Sequence, residues 1–187
     1  MRLFVAIEAP REWRESAEGV QRALSERLGD ALRLVPPENM HITLRFIGEV
    51  EDLDTPRLKA ALARHLPPIE LDLRLGGVRT FGAADRTSSA WLSIAGDLDG
   101  LQELHQRANE AVEDALDVPF AEQRYTPHVT LARVRNRASA AERRALAEYV
   151  GGIEVPSPEP FIAREASLIR SRLGGSGPRY ETLATFP

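Results

Sequence analysis

Val35-Pro36-Pro37-Glu38-Asn39-Met40-His41-Ile42-Thr43-Leu44-Arg45-Phe46-Ile47-Gly48-Glu49 carries the decisive pattern of this chain. The double proline interrupts regular structure. From His41 to Ile47 apolar and polar residues alternate as in a strand, which Gly48 is expected to end. Alternate side chains of a strand share a face, so His41 and Thr43 look outward together while Ile42 and Leu44 point into a core. The same frame returns 87 residues later as His128-Val129-Thr130-Leu131, behind the lead-in Tyr125-Thr126-Pro127. Thr fills only 8 of 187 positions and His only 4, so two such frames are poorly explained by chance.

Each motif strand follows a helical pattern. Leu3 to Ile7 reads as a strand, and Trp13, Ala17, Val20, Leu24 and Leu28 then recur at helical spacing from Pro10 to Leu28. Leu32 to Val35 is expected as a short strand. Asp54-Thr55-Pro56 opens a second helix bearing Leu58, Ala61, Leu62 and Leu66, stopped by Pro67-Pro68. Ile69 to Leu75, a Gly76-Gly77 turn, a short strand to Phe81 and a strand from Ala90 to Ala95 form an antiparallel meander. Asp97 caps a helix with the face Leu101, Leu104, Ala108, Val112 and Leu116, and a loop leads on to the strand His128 to Val134. Ser139 and Glu142 have capping-box spacing for a helix through Tyr149, which Gly151-Gly152 ends. Ile153 to Val155, a Pro-rich bend, Ile162 to Arg170, a Gly174 to Pro178 loop and Tyr180 to Phe186 complete the pattern.

Helix followed by motif strand in both halves reads as a diverged duplication. The expected fold is α+β, with two pseudo-symmetric lobes of antiparallel sheet and flanking helices around a central cleft, as one bilobal domain over residues 1–187. A chain of this length can bury a sufficient core without staples. The absence of Cys excludes disulfides, thiolate nucleophiles and thiolate-held metal clusters. The N-terminal apolar run is too short for a signal peptide, and no stretch has the length of a membrane span, so a cytoplasmic protein is expected. Its net charge of −4 argues against coating long nucleic acid by bulk electrostatics. A local basic site is still allowed, because 23 of the 24 basic residues are Arg and Arg124, Arg133, Arg135 and Arg137 cluster near the second motif. Guanidinium forks suit phosphate oxygens.

Two imidazoles and two hydroxyls facing one small volume suit acid–base work on a phosphate ester. Attacking water must lose a proton while the departing oxygen gains one, and histidine titrates in the range where one residue type fills both roles. The hydroxyls can donate to oxygens on which charge builds. Metal binding is not expected, since neither motif has helical His-Glu-x-x-His spacing. His65, at a helix end, and His105, beside an apolar stripe, read as structural. The Gly174 to Gly177 loop lacks the residues that end a Walker loop. Arg170 could reach the cleft or end a solvated strand.

Taken with Arg2-Leu3-Phe4-Val5-Ala6-Ile7, Pro127-His128-Val129-Thr130-Leu131-Ala132-Arg133 and Gly177-Pro178-Arg179-Tyr180-Glu181-Thr182-Leu183, the quoted stretch resembles the 2H phosphoesterases. Among these it looks like the bacterial and archaeal RNA 2′,3′-cyclic phosphodiesterases, formerly called 2′-5′ RNA ligases. The resemblance covers nearly the whole chain. It implies metal-independent hydrolysis of an RNA-terminal 2′,3′-cyclic phosphate to a 2′-phosphate, without cofactors; a monomer is expected. His41 is implied as proton donor, His128 as proton acceptor, and Thr43 and Thr130 as phosphate-contacting hydroxyls.

In such families the positions of Phe46 and Arg133, each five residues after a motif His, line the site. Phe46 would stack on a base or shield the cleft, and Arg133 would meet the phosphate. Strict alternation puts both on the opposite face from His, so these assignments require a bulge, a twist or the end of the strand. Periodicity alone makes Phe46 a core residue. Two other readings remain: a phosphodiesterase for small cyclic nucleotides, and a non-catalytic nucleotide- or RNA-binding module.

Overall fold

The computed structural model describes residues 1–118, 124–156, 158–174 and 177–187, all but Leu173 with their side chains. Its strands are β1 (Arg2–Glu8), β2 (Leu32–Leu34), β3 (His41–Glu49), β4 (Leu71–Phe81), β5 (Ser89–Gly96), β6 (His128–Val134), β7 (Phe161–Ala163), β8 (Ala166–Gly174) and β9 (Gly177–Phe186). The helices are α1 (Arg11–Leu28), α2 (Thr55–His65), α3 (Leu98–Leu116) and α4 (Ala140–Tyr149). Two caps form as their residues dictate. The Asp97 carboxylate accepts from the Gly100 N–H at 2.9 Å, and Ser139 and Glu142 close a reciprocal capping box at α4.

All strands join in one antiparallel sheet of order β7-β4-β5-β6-β3-β1-β8-β9, with β2 paired to β6. The expected pair of sheets is thus continuous, and the seam is minimal: β3 and β6 share the single bridge Ile42–Val129. On one side lie β3, β1, β8 and β9, backed by α2 and α3. On the other lie β6, β5, β4, β7 and β2, backed by α1 and α4. The helices therefore cross over, since α1 from the start of the chain packs behind the second motif strand and α3 behind the first.

One apolar cluster fills the space between helices and sheet. Trp13, Ala17, Val20 and Leu24 of α1 and Leu101, Leu104, Ala108 and Val112 of α3 meet Ile42, Leu44, Val129 and Leu131 there. Burial of these stripes is the main stabilisation of the fold. On the opposite sheet face Phe4, Ala6 and Ile169 form a small buried group, with Tyr180 against it, and Trp91 is buried there as well.

Four expectations change. Gly76-Gly77 is no turn: β4 runs through it with a register shift between Leu75 and Val78 against β5. A Cβ at Gly76 would stand 2.3 Å from the Ser93 hydroxyl oxygen, so any larger residue there would have to displace that hydroxyl. Gly48 lies inside β3 at φ +92° instead of ending it. Residues 153–155 form no strand. The run Ile162 to Arg170 divides into β7, which pairs β4, and β8, which pairs β1 on the far side of the molecule. Periodicity could not separate these, because an apolar run carries no record of which neighbour it pairs with. Of the expected connections, residues 119–123, 157 and 175–176 lie outside the described residues.

Candidate active site

The bridge Ile42–Val129 joins the central residues of the two His-x-Thr triplets. Antiparallel pairing has a local twofold axis, so the motifs are related about this point and their outward residues fall on the sheet face away from the helices. That antiparallel sense sets His41 on the Thr130 side of the seam and Thr43 on the His128 side. His128 is close enough to His41 for its charge to act on it, and Arg133 acts on both.

Each imidazole is held in the same way. The Nδ1 of His41 donates to the Asn39 carbonyl at 2.7 Å and the Nδ1 of His128 to the Thr126 carbonyl at 2.7 Å, two residues upstream in both cases. A carbonyl can only accept, so this bond fixes the tautomer and turns Nε2 outward. Asn39, itself buried, is anchored by its amide nitrogen on the Pro178 carbonyl at 2.8 Å.

Aromatic rings wall both sides. Phe4 and Tyr180 lie 4.8 and 5.5 Å from the His41 ring. Phe81 and Trp91 lie 4.9 and 5.4 Å from the His128 ring and stack on each other. Sequence reading passed over these four, because aromatic residues in strands normally read as core and only pairing register reveals the face. Packing among them removes water from the imidazoles. Burial lowers the pKa of His41 to about 4; the Asn39 carbonyl opposes this, and the nearby His128 and Arg133 charges reinforce it. His128 shifts downward as well, through burial first, with Arg133 adding to it against the Thr126 carbonyl.

Phe46 and Arg133 share this face, and for the same reason. In β3 the register against β1 jumps from Val5–Arg45 to Ala6–Thr43, leaving Leu44 as an extra residue. In β6 the register against β5 jumps from Ala90–Ala132 to Trp91–Thr130, leaving Leu131 extra. Both motif leucines therefore sit in bulges, and each bulge reverses the alternation beyond it. The residue five places after each His is thereby returned to the face of the His.

Phe46 is accordingly not a core residue: it pairs in register with Phe4, is 51% exposed, and has the Arg2 guanidinium 5.0 Å from its ring centre. Arg133 is exposed and pairs with Arg33 across β2 and β6. Arg79, paired with Trp91, stands on the same side. Among the described residues none of these three arginines forms an ion pair. Arg170 pairs with Leu3, whose side chain is in the helix-side core, and so does not face the site. His65 reaches Asp114 of α3 at 3.3 Å, so its partners are carboxylates and not the last carbonyls of its own helix. Among the described residues no three His, Asp or Glu side chains converge as metal ligands.

Comparison with known proteins bears on the family and the fold. The family model for the 2′-5′ RNA ligase superfamily matches residues 8–175, a span containing both motifs. A relative from Aeropyrum pernix named RNA 2′,3′-cyclic phosphodiesterase is 31% identical over 158 residues, covering 83% of this chain and 85% of its own length. One of the same name from Thermus thermophilus is 31% identical over 194 residues, covering 100% and 89%. The crystal structure of a Thermus thermophilus protein superposes with a TM-score of 0.78 at 26% identity, covering 100% of this chain and 97% of that one. Escherichia coli LigT in its apo form, at 23% identity and a TM-score of 0.75, shares the fold over 99% and 95% of the two chains. With a family match running through both motif strands and two relatives above 30% identity across most of their length, the chain belongs to the 2′-5′ RNA ligase superfamily.

Proposed function

We propose that this chain hydrolyses the 2′,3′-cyclic phosphate at an RNA end to a 2′-phosphate, with His41 as proton donor and His128 as proton acceptor. The observation that carries this is the pair of Nδ1-anchored imidazoles disposed about the Ile42–Val129 bridge, each with Nε2 turned outward beside a threonine. Water attacks phosphorus and gives a proton to His128 Nε2. The bond from phosphorus to O3′ breaks and O3′ takes a proton from His41 Nε2, so the phosphate stays on O2′. Thr43 and Thr130 donate to the non-bridging oxygens, and Arg133 meets their charge. None of these steps draws on a metal or a cofactor.

Burial holds His41 well below neutral pKa, so its proton must arrive with the substrate. A diester monoanion beside the ring favours the imidazolium, and the donor is charged when the anion binds. Binding should therefore take up a proton near neutral pH. Arg33, Arg79 and Arg133, exposed on one lobe of a protein that is acidic overall, favour an oligonucleotide over a small cyclic nucleotide.

The test is a short RNA ending in a 2′,3′-cyclic phosphate, incubated with the protein in chelator, with the product's phosphate position identified. A 2′-phosphate is expected, with His41→Ala and His128→Ala each costing about 10²- to 10⁴-fold in kcat. Equal turnover by the parent and both variants would remove the two-histidine mechanism, and no turnover by any of them would leave a binding module as the reading. A 3′-phosphate product would exchange the two proton roles.

A further inference from the structure

Both bulges need support, because an extra residue in a strand leaves backbone groups outside the ladder. In β6 the Leu131 carbonyl accepts from the Gln21 amide nitrogen at 2.8 Å and from the Val35 N–H at 2.8 Å. That same Gln21 nitrogen donates to the Val35 carbonyl at 2.7 Å, tying the chain just upstream of the first motif to the second. In β3 the Leu44 carbonyl accepts from His105 Nδ1 at 2.6 Å. The Asn109 amide lies 3.2 Å from His105 Nε2, where it can donate, and the Tyr125 ring stacks on His105 at 4.2 Å while its hydroxyl donates to the Thr43 carbonyl at 3.1 Å. One buried or half-buried polar side chain, from the helix crossing behind, thus grips the carbonyl of each motif leucine.

We propose that Gln21 and His105 are positioning residues of the hydrolytic site, holding the two bulges that return Arg133 and Phe46 to the face of the histidines. Gln21 serves the Arg133 side and His105 the Phe46 side. A glutamine in the apolar stripe of α1, only 5% exposed, is a costly choice for packing alone. Its two carbonyl contacts account for it. If either grip is lost, the bulge can move along the strand, and a one-residue slip sends the downstream side chain to the other face.

This inference rests on the proposed hydrolysis, and a crossed set of double variants tests it separately. Gln21→Met and His105→Leu remove the donor at similar volume, and His105→Asn keeps a nitrogen in the place of Nδ1. At a temperature where circular dichroism shows each variant folded, Gln21→Met and His105→Leu should lose about 10- to 100-fold in kcat/KM, with His105→Asn recovering most of it. Gln21→Met should add little further loss to Arg133→Ala yet multiply with Phe46→Ala. The reverse should hold for His105→Leu. Should Gln21→Met fail to fold, Gln21→Asn, a shorter donor, is crossed in its place. Turnover within twofold of the parent in folded variants, or losses that multiply in every pairing, would overturn the inference while leaving the hydrolytic reading intact. An inactive parent would instead remove the hydrolytic reading.

Discussion

His41 shows how one side chain couples stability to chemistry. Its pKa is near 4 in the fold and near 6.5 in the unfolded chain, so below neutral pH the unfolded state binds the extra proton. The stabilising difference is fully present above about pH 6.5 and is lost as pH falls toward 4. The melting temperature of the parent should therefore drop across that window, and His41→Gln should flatten the drop; a drop unchanged in the variant would assign it to other groups. The same depression bears on the proposed proton transfer. Titrating the protein with inorganic phosphate in two buffers of different ionisation enthalpy should show proton uptake at pH 7, and His41→Gln should abolish most of it. The rate against pH should be bell-shaped when chemistry is limiting.

At the scale of elements, caps and close approaches are separable from the site. Ser139 closes the capping box of α4, outside both motif strands, and Ser139→Ala should cost about 1 kcal/mol in urea unfolding without changing turnover. Gly96 ends β5 at φ +99°, where a Cβ would come within 2.1 Å of the Asp72 carbonyl oxygen. Gly96→Ala should therefore destabilise more than a strained turn alone, by at least about 1–2 kcal/mol, read in the same unfolding curves. The bulges at Leu44 and Leu131 are elements of another kind, since they add nothing to a hydrophobic count and yet determine which residues share the face of the histidines.

For the whole molecule, the single seam between lobes and the exchanged helices make each half depend on the other. α1 supports the strand bearing His128, and α3 supports the strand bearing His41. The guanidinium row of Arg33, Arg133 and, across Trp91, Arg79 lies entirely on one lobe. Like charges facing each other across strands are unfavourable unless an anion joins them. Arg33→Ala and Arg79→Ala should raise KM for a cyclic-phosphate oligonucleotide several-fold and leave a cyclic mononucleotide unaffected. Each should also reduce the slope of log affinity against log salt by a little under one. Equal effects on both substrates would place these arginines at the reacting phosphate instead.

The repeated frame His-x-Thr-Leu made the site legible in the primary structure, because period-two alternation in β3 and β6 is local and the two copies repeat it. Helix stripes, both caps and the order of elements were legible on the same terms. What alternation got wrong was Phe46, and it left Arg133 dependent on a bulge, because a bulge is a mismatch between two strands and neither strand records it alone. The division of residues 162–170 between β7 and β8, the aromatic walls around each imidazole, and the grips of Gln21 and His105 are likewise matters of pairing across distant chain. Tertiary contact decided them, since a hydrogen bond spanning 110 residues, as from Gln21 to Leu131, exists only once both partners are in place.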